Sequence, residues 1–227
     1  MKNLTNPIIE KSFTIIDDII GSHHLTASEY NIARRIIHTT ADFDFLNLLL
    51  CSDNVIDIAI AALKAKTPII TDVSMVKEGI RNMVAKTYEN EIIVAVKQAK
   101  QAKKGQTLTE TGLLQCCEKY PQGIYVIGNA PTALIALCKQ WESQKINPSF
   151  VIGAPVGFVS VLESKAYLAK LDIPQIQIIG HKGGSTVAAA IINALLVMSK
   201  DYETDNSNID GGGGGNNESK KTIRKKI

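Results

Sequence analysis

Residues 124–141 read IYVIGNAPTALIALCKQW, which is an uninterrupted apolar run, a short loop with glycine and then a segment with helical spacing. The same order recurs after FVIGAP (150–155) and QIQIIG (175–180). Strand, short loop and helix in repetition predict parallel strands joined by crossover helices. Because these strands are continuous apolar runs rather than alternating ones, helices should cover both faces of the sheet.

Further segments extend this pattern toward the N-terminus. Two more β-rich runs are PIITDV (68–73) and EIIVAV (91–96). Helical spacing marks four segments: Pro7–Ile20, Ala27–Ile37, 53–65 and 107–119. We therefore predict a single α/β domain over residues 1–200, with a parallel sheet of about five strands and the first helices forming an N-terminal layer or arm.

Composition and charge exclude several classes of protein. The chain has 227 residues, a net charge of +3 and 5% aromatic residues, which disfavours a nucleic-acid-binding protein. No signal peptide or membrane-spanning run is recognisable, so we expect no membrane partner and a cytoplasmic location. Residues 201–227 are rich in Gly and Asn and end in a basic run, which predicts a disordered tail.

Cysteine and histidine spacing gives no indication of a metal site. Cys51, Cys116, Cys117 and Cys138 lack a CxxC pair, and the adjacent Cys116 and Cys117 lie in an apolar stretch typical of buried thiols. His23 and His24 precede a capping box and are expected in an exposed loop. We therefore expect no metal, and a reducing compartment.

Three glycines end successive predicted strands: Gly128, Gly153 and Gly180. Since ligands of open α/β sheets bind beyond the carboxyl ends of the strands, the loops 128–133, 153–160 and 180–186 should converge on one cleft. Helix N-termini behind them favour carboxylate or phosphate. The alternative is that each glycine only makes a tight turn into a helix.

Nucleotide motifs are not matched in these loops. GNAPTA has one glycine of a GxGxxG pattern, and GHKGGST has the letters of a phosphate loop in the wrong order. A nicotinamide or ATP enzyme is therefore disfavoured.

The stretch RRIIHTTADFD (34–44) places His38 at the end of a predicted helix. Arg35 lies three residues earlier and so shares its helix face. Taken alone, such a histidine is more often structural than catalytic.

Several segments together resemble the precorrin-8X methylmutases of cobalamin biosynthesis. They are IIHTTADFD, ALKAKTPIITDVSMVKEGI, YVIGNAPTALIAL, VIGAPVGFVSVLESK and GGSTVAAAIINAL, in order from about Pro7 to Leu196. The resemblance implies an isomerase that moves a methyl group from C11 to C12 of a corrin-like tetrapyrrole. It would convert precorrin-8X to hydrogenobyrinate, or cobalt-precorrin-8 to cobyrinate, with no cofactor. It also implies a homodimer with the substrate near the subunit interface.

The resemblance also assigns roles to single residues. It implies that His38 is catalytic, that Ser12 of EKSF and Arg35 bind substrate, and that Asp72 and Met75 form a further binding segment. We expect the loop residues Asn129, Gly183, Gly184 and Ser185, with Lys182, to meet the carboxylates of this acidic substrate. Val156, Phe158 and Met75 would line the bed of its apolar face.

One position departs from the family pattern. Many members carry an arginine between two hydroxyl residues where this chain reads Thr107-Leu108-Thr109. The loss puts carboxylate recognition in question and leaves a competing hypothesis, a corrinoid-binding protein without catalysis. In the favoured hypothesis the methyl shift needs no nucleophile, and His38 lends and recovers the proton that redistributes the electrons of the macrocycle.

Overall fold

The computed structural model describes residues 6–210, with the side chains of residues 6–200. The helices are α1 (Pro7–Ile20), α2 (Ala27–Thr40), α3 (Phe45–Leu48), α4 (Val55–Lys64), α5 (Ser74–Lys86), α6 (Leu108–Lys119), α7 (Pro131–Glu142), α8 (Val161–Ala169) and α9 (Ser185–Asp210). The strands are β1 (Leu49–Cys51), β2 (Ile69–Thr71), β3 (Ile92–Val94), β4 (Ile124–Ile127), β5 (Phe150–Gly153) and β6 (Gln175–Ile178).

One sheet in the described part of the chain has the strand order β1-β6-β5-β4-β2-β3. Strands β2 to β6 are parallel, which confirms the predicted α/β fold and its five parallel strands. The sixth strand, β1, was not predicted, and it pairs antiparallel with β6, placing Leu49 opposite Ile178. Because β1 has three residues and follows α3 with no turn residue between them, its sequence carries no strand period.

Apolar residues of the parallel strands point alternately to two separate cores. Ile124 and Val126 of β4 pack in the larger core with α2, α5 and α9, whereas Tyr125 and Ile127 pack in the other core with α6 and α7. All four side chains are fully buried. The continuous apolar runs therefore reflect helices on both faces of the sheet, as predicted.

The first two helices begin at side-chain caps that the sequence supplies. Asn6 is the residue before the proline that opens α1, and its side chain accepts a hydrogen bond from the Ile8 N–H at 2.9 Å. Thr26 and Glu29 form the predicted capping box of α2. At its other end α2 stops where Ala41 adopts a left-handed conformation with φ of 54°, which leaves His38 in the last turn.

Helix α9 lies across one face of the sheet and packs against α2 and α5. It extends to Asp210 and so enters the segment 201–227 for which the sequence predicts disorder. The remainder of that segment, residues 211–227, lies outside the described residues. Across the described helices, α9 included, none combines the length and apolar character that a membrane span requires.

Candidate functional site

The three glycine loops lie against one another at the carboxyl edge of the sheet. A Cβ atom at Gly128 would stand 2.9 Å from Cα of Ser185, so the loop after β4 touches the start of α9. Gly183, with φ of 150°, approaches Ala154 so closely that a Cβ would lie 2.4 Å from its carbonyl oxygen. The Gly184 N–H donates to the same carbonyl at 2.8 Å. Any side chain at 128 or 183 would therefore push these loops apart.

Asp72 connects the end of β2 to the loop after β4. One carboxylate oxygen accepts the backbone N–H groups of Asn129 and Ala130 at 2.6 and 2.8 Å, and the other accepts that of Val73 at 2.9 Å. Burial raises the pKa of Asp72, and these backbone donors oppose the rise. The side chain is fully buried, so direct contact with a ligand, as expected from the resemblance, would require this carboxylate to become exposed.

His38 lies at the junction of α1 and α2. Its ring meets the edge of the Phe13 ring, with centroids 5.5 Å apart and planes at 81°. The guanidinium carbon of Arg34 stands 4.5 Å from the centroid of the same Phe13 ring. Ser12, the neighbour of Phe13, donates its hydroxyl to the Ile8 carbonyl at 2.9 Å. Phe13 thus brings Ser12 and His38, two of the predicted site residues, to one junction.

The electrostatic environment of His38 favours its neutral ring. Partial burial and then the positive charge of Arg35 lower the pKa of His38 below its ordinary value of 6.5. Burial also lowers the pKa of Arg35 below its ordinary value. An approaching polyanion would raise the pKa of His38 again, because negative charge favours the protonated ring.

Lys182 joins the loop after β6 to the chain that follows His38. Its ammonium lies 2.6 Å from a carboxylate oxygen of Asp42 and 2.6 Å from one of Asp44. From the sequence we expected Lys182 to meet carboxylates of the substrate, whereas in the structure two carboxylates of the chain already bind it. The aspartates of RRIIHTTADFD therefore tie the His38 end of α2 to the glycine loops.

Exposed apolar side chains lie beside the loops. Phe158 and Met75 are 87% and 65% exposed, and Val156 is 45% exposed. The Phe158 ring is tilted over the ring of His181, with centroids 5.3 Å apart. Nδ1 of His181 lies 2.7 Å from the Gly157 carbonyl oxygen, which fixes that ring. Contact of this apolar surface with the face of a macrocycle stays a prediction.

Lys165 is a buried cation beneath the site that sequence reasoning did not identify. Its ammonium donates to the carbonyl oxygens of Gly180 and Lys182 at 2.6 and 2.7 Å. The residue is 5% exposed, and burial lowers its pKa to about 8. The signal for it was weak, because a lysine in the helix segment VLESKAYLA is ordinarily a solvated one.

Leu108 opens α6 at the same edge of the sheet. The hydroxyls of Thr107 and Thr132 lie 3.0 Å apart, and this contact joins the start of α6 to the first turn of α7. Leu108 is 37% exposed, so a longer side chain can reach solvent there.

Metal-ligating and thiol side chains elsewhere in the described part of the chain were predicted to be structural. Within the side chains described, no three residues among His, Cys, Asp and Glu are placed to hold one metal ion. Cys116 and Cys117 are buried free thiols, as predicted.

The family model described as precorrin-8X methylmutase matches residues 7–198 of the chain. A cobalt-precorrin-8 methylmutase of Synechocystis sp. is 47% identical over 210 residues, which cover 86% of this chain and 97% of that protein. A precorrin-8X methylmutase of Sinorhizobium sp. is 32% identical and covers 84% of this chain and 93% of that protein.

A solved structure shows the same likeness in three dimensions. The precorrin-8X methylmutase of Thermus thermophilus is similar to this chain with a TM-score of 0.79 and 33% identity, covering 86% of this chain and 97% of that one. Both sequence and fold are thus shared over nearly the whole domain, and the chain belongs to the precorrin-8X methylmutase family, the methyl-shifting isomerases of corrin biosynthesis.

Proposed function

We propose that this protein moves a methyl group from C11 to C12 of cobalt-precorrin-8, giving cobyrinate, or of metal-free precorrin-8X, giving hydrogenobyrinate. The observation that carries the proposal is the position of His38. It stands in the last turn of α2, and the aspartates that follow it are bound by Lys182 of the glycine loop. A titratable ring is thus held next to backbone suited to an acidic ligand.

The glycine loops would bind the carboxylate side chains of the macrocycle. Helices α7 and α9 both begin at this edge, and helix N-termini favour anions. Asn129 is exposed at the first of these helices, and Gly183 is partly exposed before the second, whereas Gly184 is buried and its N–H is bound to the Ala154 carbonyl. Arg35, half-buried beside His38, adds a guanidinium that can bind a carboxylate with two hydrogen bonds.

His38 would supply the proton chemistry. A methyl shift within a conjugated ring needs its electrons redistributed, and a proton placed on the macrocycle achieves that. In the free protein the pKa of His38 is lowered, so the ring is largely neutral at neutral pH. Binding a polycarboxylate raises the fraction of protonated His38, so the substrate itself would prepare the acid. The proton returns to the ring once the methyl group has moved.

Parallel incubation with precorrin-8X and cobalt-precorrin-8 tests this function. Turnover should change the visible spectrum while the mass stays constant, because substrate and product are isomers. A spectrum that shifts slightly on mixing, with only the starting isomer recovered by chromatography, would identify a corrinoid-binding protein without catalysis instead.

The apolar face of α1 supports a homodimer as part of this proposal. Ile8, Ile15 and Ile19 are 74%, 51% and 63% exposed, and their spacing of seven and four places them on one face of the helix. A second copy of the chain would cover these side chains near the Phe13 junction. Sedimentation at micromolar concentration should give twice the monomer mass of 24.6 kDa. A fully active monomer would exclude the homodimer. The expected cytoplasmic location likewise stays a prediction.

A further inference from the structure

Four lysines are concentrated in the loop between β3 and α6. Residues 96–105 read VKQAKQAKKG and contain Lys97, Lys100, Lys103 and Lys104 with no acidic residue among them. We call residues 97–104 the lysine loop. All four side chains are exposed. Since the whole chain has a net charge of only +3, this loop is a local concentration of positive charge.

The lysine loop is attached to the candidate site by a backbone contact at its start and by a side-chain contact just after its end. At its start, the Val96 N–H donates to the Asp72 carbonyl at 3.1 Å. At its end, Thr107 meets Thr132 of the first turn of α7. Between them the Lys103 N–H donates to the hydroxyl of Thr111 at 3.0 Å, so α6 orders the loop. The lysines are thus presented beside the edge where the glycine loops lie.

The charge of the lysine loop is uncompensated within the described side chains. Ion pairs among the described side chains join Arg34 to Asp17, Arg81 to Glu78, and Lys182 to Asp42 and Asp44, and the lysine loop takes part in none of these. The nearest acids along the chain are Glu91, which precedes β3, and Glu110, whose carboxylate is directed at the Thr107 N–H in the capping box of α6. Leu108, which follows the loop, has no charge to offer a ligand.

We propose that the lysine loop captures the carboxylate side chains of the macrocycle and accelerates its association with the site. The inference rests on the proposed function, because it takes a tetrapyrrole polycarboxylate as the ligand. Exposed charges act over the Debye length of about 8 Å at physiological ionic strength, so capture needs no fixed ion pair. Positive charge beside a cleft raises the local concentration and the association rate of an anionic ligand.

Stopped-flow absorbance of cobyrinate or hydrogenobyrinate binding to the whole protein tests the inference without requiring turnover. One variant carries Lys97→Gln, Lys100→Gln, Lys103→Gln and Lys104→Gln. The control removes one exposed lysine from the last turn of α7 and three from connections leading to the amino ends of strands, by Lys139→Gln and by Lys66→Gln, Lys145→Gln and Lys170→Gln. Both variants lose the same net charge, so only the position of that charge differs.

The loop variant should associate about tenfold more slowly at low ionic strength, with a weaker salt dependence, and the control should stay within about twofold of the native protein. A third variant with arginine at the four loop positions should associate at the native rate, because it keeps the charge. Equal rates and salt slopes in the loop variant and the control would overturn the inference.

The same experiment separates the inference from the proposed function. A native protein that binds the macrocycle but never converts either substrate would refute the isomerase while leaving the role of the loop to be judged on association rates. A native protein that binds no macrocycle would refute both.

Discussion

Lys182 and Asp42 are 140 residues apart in sequence, and their ammonium and carboxylate groups lie 2.6 Å apart. The contact fastens the loop that contains Gly183 and Gly184 to the segment that follows His38. Asp44 also binds this ammonium, at 2.6 Å. The relative position of the glycine loops and the catalytic candidate therefore depends on charged groups as well as on the packing of α2 against α9.

We expect this ion pair to contribute little stability. The side chains of Lys182 and Asp42 are 42% and 31% exposed, and pairs of this exposure couple by about 0.2–1 kcal/mol. Lys182→Gln, Asp42→Asn and the double variant, measured by urea unfolding, give the coupling free energy. It should shrink in high salt because the pair is screened. A coupling above about 3 kcal/mol would instead indicate a pair that is fully desolvated in solution.

Substitution of His38 should remove turnover and leave folding intact. The residue is exposed, and its main ring contact is the edge of Phe13, so His38→Ala creates no buried cavity. The rate should fall by about 10²–10⁴, the usual range for loss of a positioned acid or base. His38→Asn should be no better, because asparagine can form hydrogen bonds but cannot supply a proton. His24→Asn, at another exposed histidine, is the control. Near-native turnover in His38→Asn would assign the ring a packing role only.

The pH dependence of the reaction should differ between free protein and complex. The profile of kcat/KM reports the free protein, where partial burial and Arg35 hold the pKa of His38 below 6.5. If the protonated ring is required, kcat/KM falls as pH rises through that lowered pKa. The profile of kcat should fall at a higher pH than that of kcat/KM, because carboxylates of the bound substrate favour the charged ring and so raise its pKa in the complex.

Arg35 provides a direct check on that pH prediction. Arg35→Gln removes the second cause of the lowered pKa and should move the His38 titration upward, as followed by NMR of the ring protons. An unchanged titration would show that burial alone sets the pKa. Profiles of kcat/KM that are flat between about pH 5 and 8 would argue against any histidine acid.

Lys165 should make stability depend on pH in the alkaline range. Its pKa is lowered from 10.5 to about 8, so between these values the unfolded chain binds more protons than the folded one. The free energy of unfolding therefore rises with pH between about 8 and 10.5. This added stability is lost again as the pH falls through about 8. At 1.36 kcal/mol per pKa unit the full effect is about 3 kcal/mol at most.

A comparison of variants isolates the Lys165 contribution from other groups that titrate in the same range. Lys165→Met lacks this titration, so the free energy of unfolding of the native protein should rise relative to that of the variant between pH 8 and 10.5. Lys170→Met, at an exposed lysine that follows the same helix, should show no such trend. Parallel curves for the native protein and Lys165→Met would mean that the ammonium is solvated.

The five parallel strands were predictable from the sequence because most of them are continuous apolar runs, although QIQI of β6 alternates, and because three of them end at a glycine. It could not predict strand β1, whose pairing with β6 is a tertiary contact without a local period. It placed the glycine loops at one edge, since that follows from parallel topology. It missed the role of Lys165 and the partners of Lys182, because both depend on groups brought together only by folding. Asp72 was identified by resemblance, yet its burial could not be read from the sequence.

Leu108→Arg should be tolerated and should tighten binding of the macrocycle. Leu108 is 37% exposed at the first position of α6, so the longer side chain can extend into solvent without displacing packed atoms. A cation at a helix N-terminus costs about 0.3–1 kcal/mol, whereas a new hydrogen bond to a carboxylate contributes about 1.5–3 kcal/mol. The helix cost is present in the free and the bound protein alike, so the dissociation constant of product, followed by its absorbance, should fall by about tenfold or more. Ile58→Arg is the matched control, because Ile58 on α4 is similarly exposed, at 36%. This substitution should leave the dissociation constant unchanged. Weaker binding or a large loss of stability in Leu108→Arg alone would show that Leu108 packs against the site rather than facing its ligand.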